Sequence, residues 1–404
     1  MVGQVQGSGV EADARDRAPE GSPALRRALP GEVGRLDGQD LLLANLLSPV
    51  SAGIFAQSIS QQEYSQFFNV KKLGLTSTSE VRSDHQYREV ASQFGNFKDF
   101  SYALDLDYQH NDGVRPNNDL DRFEWYSQCK FQLTPADTLF LLTKYQDYHS
   151  GDNFQYYDWR AGVRTNFTYD EVQKPIAIAG WHHEWSPGIH TLALGGHLEN
   201  DQRVTDTAVP ELLLFTTSNQ LASVSSLPFD VAYRSQFDAF TAELNQIIQS
   251  ERQTLILGGR FQSGQFETEN RLDFSNSVLT NSFASPPALT NVTADFQRTA
   301  AYAYYTLQPI NRLFLTAGVS YDRVEFPGNY RLPPVASGDT ARELIGPKAA
   351  LVYGLADWLT LRGAYARSLG GVSLDQSYRL EPTQLAGFVQ TFRSVIPESV
   401  VGSV

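Results

Sequence analysis

From about residue 70 onward, hydrophobic and polar positions alternate with the period of two that an extended strand imposes. Ala301, Ala303, Tyr305 and Leu307 form one such apolar set, and Leu313, Leu315, Ala317 and Val319 form another beyond Pro309. Many runs reach the roughly 9–11 residues that a tilted strand needs to cross a bilayer, against roughly 5–6 in ordinary sheets. Short turn signals separate them at Gly95–Lys98, Thr134–Asp137, Ser186–Gly188, Ser250–Arg252, Pro309–Asn311 and Gly354–Asp357. Long polar segments lie between the hairpins, at His110–Asp119, Ser150–Thr165, Asn200–Asp230, Glu267–Asn291 and Phe326–Thr340.

Short turns at one end and long loops at the other predict an all-β chain. The expected fold is a transmembrane antiparallel up-and-down β-barrel of about 12–14 long strands, with periplasmic turns and external loops. In a hairpin, outward residues oppose outward residues. At Pro309 this predicts Leu307 opposite Leu313, Tyr305 opposite Leu315, Ala303 opposite Ala317 and Ala301 opposite Val319. Arg298 then meets Asp322, and Tyr304 meets Thr316. At Ser250 it sets Ile248 against Leu255, Leu244 against Gly259, Ala242 against Phe261 and Glu243 against Arg260. At Pro135, Phe131 faces Leu139, Cys129 faces Leu141 and Trp125 faces Tyr145; at Leu355, Tyr353 faces Leu359 and Leu351 faces Leu361.

Each hairpin thus gains one apolar and one mixed, charged face. The apolar face is expected toward outer-membrane lipid. The lumen-lining candidates are Asp105, Asp107, Lys130, Lys144, Glu243, Arg260, Arg298, Asp322 and Arg362, with Glu124 and Lys348 beside them. Tyr108, Trp125, Tyr145, Trp185 and Trp358 suit an interfacial belt, or in the competing reading the cap of a soluble core.

Composition narrows the classes. A net charge of -13 argues against nucleic acid as partner, because phosphate binding needs basic surface. A single Cys excludes an intramolecular disulfide and a cysteine-based zinc site. No stretch approaches the roughly 18 uncharged apolar residues of a spanning helix. The mean hydropathy of -0.32 does not exclude a barrel, whose strands alternate. Residues 1–40 read as a disordered segment, 41–69 as a linker or short helix and 70–404 as the barrel, truncated at its C-terminus. The apolar run Leu41–Ala56 follows Asp37 and Asp40, not the basic residues of a secretory signal.

Candidate chemistry is sparse. His182 and His183 alternate to opposite faces, which breaks up a cluster with His190 and His197, so no metal site is expected. Asp105 and Asp107 share a face and could bind a cation or simply charge the lumen. No nucleophile elbow and no HExxH occurs, so no catalytic residue and no cofactor is assigned.

Residues Ile345–Leu374, IGPKAALVYGLADWLTLRGAYARSLGGVSL, carry a resemblance. Pro347-Lys348 opens a strand that ends in Tyr353. A short turn follows, then Trp358 to Arg367 in the form W-L-T-L-R-x-x-Y-x-R. This resembles the late barrel of TonB-dependent outer-membrane receptors. Ser368–Gly371 departs from the family's Phe-Arg-x-Pro, and Leu380-Glu381-Pro382 is only loosely similar to its Leu-x-Pro-Glu segment. The segment Gln57–Asn69, QSISQQEYSQFFN, resembles barrels fused behind tetratricopeptide-containing envelope proteins.

The resemblance implies a bacterial outer-membrane protein with a transport or receptor role and a small solute or ligand at its external loops. No plug domain and no energy-coupling box is legible near the N-terminus, so an energy-coupling partner is not carried over. An incomplete barrel is expected. Two alternatives stay open: a non-transporting structural or adhesion barrel that anchors an envelope protein, and a barrel enzyme with a rim site.

Overall fold

The fold is described from a computed structural model covering Leu46 and residues 73–83, 85–153, 164–217, 220–275, 288–327, 339–369, 378–382, 384–389 and 397–403. Apart from Leu46, the expected segments 1–40 and 41–69, with QSISQQEYSQFFN, lie outside the described residues.

The strands are β1 (Leu73–Val81), β2 (Tyr87–Asn96), β3 (Phe100–Asn111), β4 (Leu120–Gln132), β5 (Asp137–Ser150), β6 (Thr168–Ser186), β7 (Ile189–Thr217) and β8 (Gln220–Gln249). Then come β9 (Gln253–Phe274), β10 (Ala288–Ile310), β11 (Leu313–Pro327), β12 (Asp339–Ala356), β13 (Leu359–Leu369), β14 (Gln384–Leu385), β15 (Phe388–Val389) and β16 (Pro397–Ser403). Fourteen of them form one sheet in the order β1 to β13, then β16, and β14 pairs with β15 alone. Each strand in the large sheet is antiparallel to its neighbour, as the predicted up-and-down order requires. Among the described residues the sheet does not close: β1 and β16 are its edges.

The short turns form where expected. Between β6 and β7 only Pro187 and Gly188 remain outside the strands, and Gly188 adopts φ +86°, a region open to glycine. The predicted loop Asn200–Asp230 is instead mostly strand. β7 runs to Thr217 and β8 starts at Gln220, so the pair projects as a long hairpin. Asn200–Asp206 mixes Asn, Asp, Gln, Arg and Thr, and Val209–Phe215 is a nearly continuous apolar run, so neither part shows the strict alternation of a half-buried strand. The same correction applies to Glu267–Asn291, where β9 continues to Phe274 and β10 begins at Ala288.

Register follows expectation at two hairpins and departs at two. Ile248 pairs with Leu255, Glu243 with Arg260, Phe131 with Leu139 and Trp125 with Tyr145. At the β10–β11 turn, Leu307 pairs with Leu315 rather than Leu313, and Tyr305 with Ala317. The ladder is irregular between Leu307 and Ile310, where Pro309 has no N–H to donate, and Ile310 takes Leu313. Arg298 therefore lies opposite Val324, and Ala300 opposite Asp322. At the β12–β13 turn a bulge between Gly354 and Ala356 likewise sets Tyr353 against Leu361 and Leu351 against Gly363. Both slips are of two residues, so every side chain keeps its predicted face.

One face of the sheet carries the buried side chains and the other a row of exposed apolar ones. Leu106, Leu141, Phe240, Leu244, Leu257, Phe261 and Leu361 are on the exposed face. An uncovered apolar surface of this extent is what lipid contact requires. Cys129 pairs with Tyr102 and Leu141 on that face and is the only cysteine. In lipid vesicles, a pyrene maleimide is expected to label Cys129 readily, and its fluorescence to be quenched by brominated acyl chains. A charged maleimide should label it slowly. Equal labelling by both reagents would contradict the lipid-facing assignment.

Candidate functional site

The inner face is fixed by the period-two alternation. Asp105, Lys130, Glu243, Arg260, Arg298 and Asp322 are all buried on it. Asp107, Lys144 and Arg362 have the same parity as buried Asp105, Leu142 and Ala366, and are half-buried. All nine predicted positions thus share one face, but the structure brings them together in separate groups.

Toward the β2–β5 side, Asp107 accepts from Arg88 at 2.7 Å and Arg122 at 2.6 Å. Lys144 lies 3.3 Å from Glu124, and Ser92 donates to Asp105. Around β8–β12 the charges crowd closer. Arg298 meets Asp322 at 2.7 Å and also reaches the Leu369 carbonyl at 3.3 Å. Arg260 lies 4.0 Å from Glu243. Tyr302 donates its hydroxyl to Glu243 at 2.8 Å, and its ring lies where a side chain at Gly258 would stand. Small and aromatic residues on neighbouring strands therefore interlock here, so Gly258 is needed for a close approach.

Residues of the β13–β16 connection complete this group. Leu380 donates its backbone N–H to Glu243 at 2.8 Å, and Asn245 donates to the Leu380 carbonyl at 3.1 Å. Arg260 donates to the Tyr378 carbonyl at 3.2 Å. Glu381 accepts from the Tyr304 hydroxyl at 2.6 Å and lies 3.9 Å from both Lys348 and Arg379. Burial alone would raise the Glu381 carboxyl, but Lys348 and Arg379 outweigh it and hold it below the usual carboxylate range. Tyr378, Leu380 and Leu385 enter one apolar cluster with Phe140, Ile178 and Leu192 of the inner wall. Buried Leu46 belongs to that cluster and packs over Gly180. Among the described residues, then, Leu46 and part of the β13–β16 connection pack against the inner wall.

Sequence reading missed Tyr302, Asn245, Leu46 and the Tyr378–Glu381 segment as members of the site. Leu380-Glu381-Pro382 was singled out only as a loose motif. The one local signal was the apolar-charged alternation Tyr378-Arg379-Leu380-Glu381.

The histidines separate as their parity dictates. His182 and His190 face inward and share a hydrogen bond of 3.0 Å, and His183 meets Asp137 at 2.7 Å. His197, Glu199 and Asp238 come together on the outer face. There Lys174 forms a salt bridge with Glu199, and His197 shares a hydrogen bond of 2.8 Å with Asp238, at the edge of the apolar belt.

The sequence profile described as "TonB dependent receptor-like, beta-barrel" matches residues 50–387. No curated protein matches the sequence. Among solved structures, the copper transporter OprC is similar at 13% identity and TM-score 0.53, over 74% of this chain and 45% of that one. The ferripyoverdine receptor of the outer membrane of Pseudomonas aeruginosa is similar at 12% identity and TM-score 0.53, over 74% of this chain and 42% of that one. The siderophore receptor PiuA from Acinetobacter baumannii is similar at 10% identity and TM-score 0.53, over 75% of this chain and 50% of that one. At such identities the structural likeness speaks for the fold alone, and the chain spans half or less of these proteins' lengths. The profile match covers most of the chain, and the apolar outer face and charged inner face are those of a membrane barrel wall; the chain belongs to the TonB-dependent receptor-like β-barrel family of bacterial outer-membrane proteins.

Proposed function

We propose that the chain forms the wall of a solute pathway or receptor cavity in the outer membrane, with the inner charges selecting ligand by charge and geometry. The observation that carries this is the burial of complementary pairs, Glu243 with Arg260 and Arg298 with Asp322, on the face opposite the apolar belt. A charged inner wall costs stability unless something polar uses it, and selection of a solute is such a use. No covalent chemistry is invoked. Two proteins of similar fold are a copper transporter and a siderophore receptor, and the class of small ligand here is part of the proposal.

A second reading, a non-transporting structural or adhesion barrel, is favoured by one observation: Leu46, Tyr378, Leu380 and Leu385 pack against the inner wall where a solute would pass. Conductance separates the two. Full-length protein in planar bilayers is expected to conduct little. A variant in which residues 378–385 are replaced by Gly and Ser is expected to conduct clearly more. If neither protein conducts, the transport reading fails and the structural one stands.

A further inference from the structure

Tyr378–Glu381 docks on the inner wall partly through its own main chain. Three of the hydrogen bonds that dock it go to main-chain atoms: Glu243 takes the Leu380 N–H, Asn245 the Leu380 carbonyl and Arg260 the Tyr378 carbonyl. The wall groups come from β8 and β9, and none is a sequence neighbour of the segment. Glu243 and Arg260 face each other across the ladder, so one acceptor and one donor stand side by side. A lone carboxylate or guanidinium would suit an ion. An acceptor and two donors arrayed along two strands suit the alternating N–H and C=O groups of an extended backbone.

The flanking wall reads side chains of alternating character. Apolar residues receive Tyr378 and Leu380, whereas Tyr304 and Lys348 receive Glu381. The pattern is that of a peptide site with apolar and acidic subsites, held at present by the chain's own sequence.

We infer that the inner wall at Glu243, Asn245 and Arg260 is a peptide-binding site, that Tyr378–Glu381 occupies it as an internal ligand, and that the solute class it takes is a short extended peptide with alternating apolar and charged residues. This rests on the receptor or transport reading above and names its ligand class.

The test uses the full chain with residues 378–385 replaced by Gly and Ser, together with the acetylated, amidated peptide SYRLEPTQ carrying a fluorophore. Binding is read by fluorescence anisotropy in detergent. The emptied variant is expected to bind the peptide about tenfold or more tightly than wild type does, because the internal copy no longer competes. A peptide N-methylated at the residue equivalent to Leu380 lacks the N–H that Glu243 accepts. It is expected to bind about tenfold or more weakly. Leu380→Pro removes the same N–H from the internal copy and supplies a second, milder background should the first variant fail to fold.

Peptide affinity no higher in either variant than in wild type, or indifference to N-methylation, would overturn the proposal. The same variants in planar bilayers keep the two readings apart. Conductance without peptide binding removes the peptide site and leaves the pathway; peptide binding without conductance leaves a receptor site and removes the pathway.

Discussion

Replacing Arg298 with Met is expected to destabilise the folded chain by about 3–5 kcal/mol, the cost of leaving one partner of a buried ion pair alone. Arg298 and Asp322 are 1% and 2% exposed, and their side chains meet at 2.7 Å. Removing the guanidinium strands the Asp322 carboxylate in a setting that water scarcely reaches. The same substitution frees the Leu369 carbonyl, which Arg298 also touches, at the end of β13. The double variant Arg298→Met and Asp322→Leu should recover most of the loss, because two apolar groups of similar size leave no charge uncompensated. Urea unfolding of the refolded protein in lipid vesicles, followed by tryptophan fluorescence, measures both variants against wild type. If Arg298→Met costs less than about 1 kcal/mol, the pair is effectively solvated. The inner face at this pair would then be open to water rather than covered by packed side chains.

Which face each residue takes was legible in the sequence, and the reason is the period of two. Glu243, Arg260, Arg298 and Asp322 keep their faces even where the ladder slips, because both slips are of two residues. The exact partners were legible only where the turn is regular. At Ser250 and Pro135 they followed from counting, but near Pro309 and Leu355 an irregular ladder absorbs residues that no alternation reveals. The stretch Asn200–Asp230 misled for a different reason: its polar part and its apolar run Val209–Phe215 each lack the period of two by which a strand is read. The docked segment was illegible because its partners are remote. Asn245 and Leu380 are 135 positions apart, and no local pattern encodes that meeting. What alternation does encode, the direction of each side chain, is also what lets the membrane assignment be tested one residue at a time.

Ala317→Arg is expected to cost about 2–4 kcal/mol when the protein folds into vesicles, the penalty for a cation on the lipid face near the bilayer midplane. Along β11 the outer face reads Leu313, Leu315, Ala317, Val319 and Tyr321, and it turns charged at Arg323 and Glu325. Ala317 stands at the middle of that run, is exposed, and lies between Tyr305 of β10 and Ala349 of β12. A guanidinium there has apolar neighbours on both sides and must snorkel or thin the bilayer to find water. Gln297→Arg supplies the control. Gln297 is exposed on the same face of β10 and pairs with Glu325, beyond the apolar run, where an added cation should cost no more than about 1 kcal/mol. The ratio of the two effects carries the argument. A soluble sheet would tolerate both exposed arginines almost equally, since water would solvate each; only a lipid layer makes one position several times costlier than the other. Unfolding free energies in vesicles that differ by less than about 0.5 kcal/mol between the two variants would remove lipid from this face.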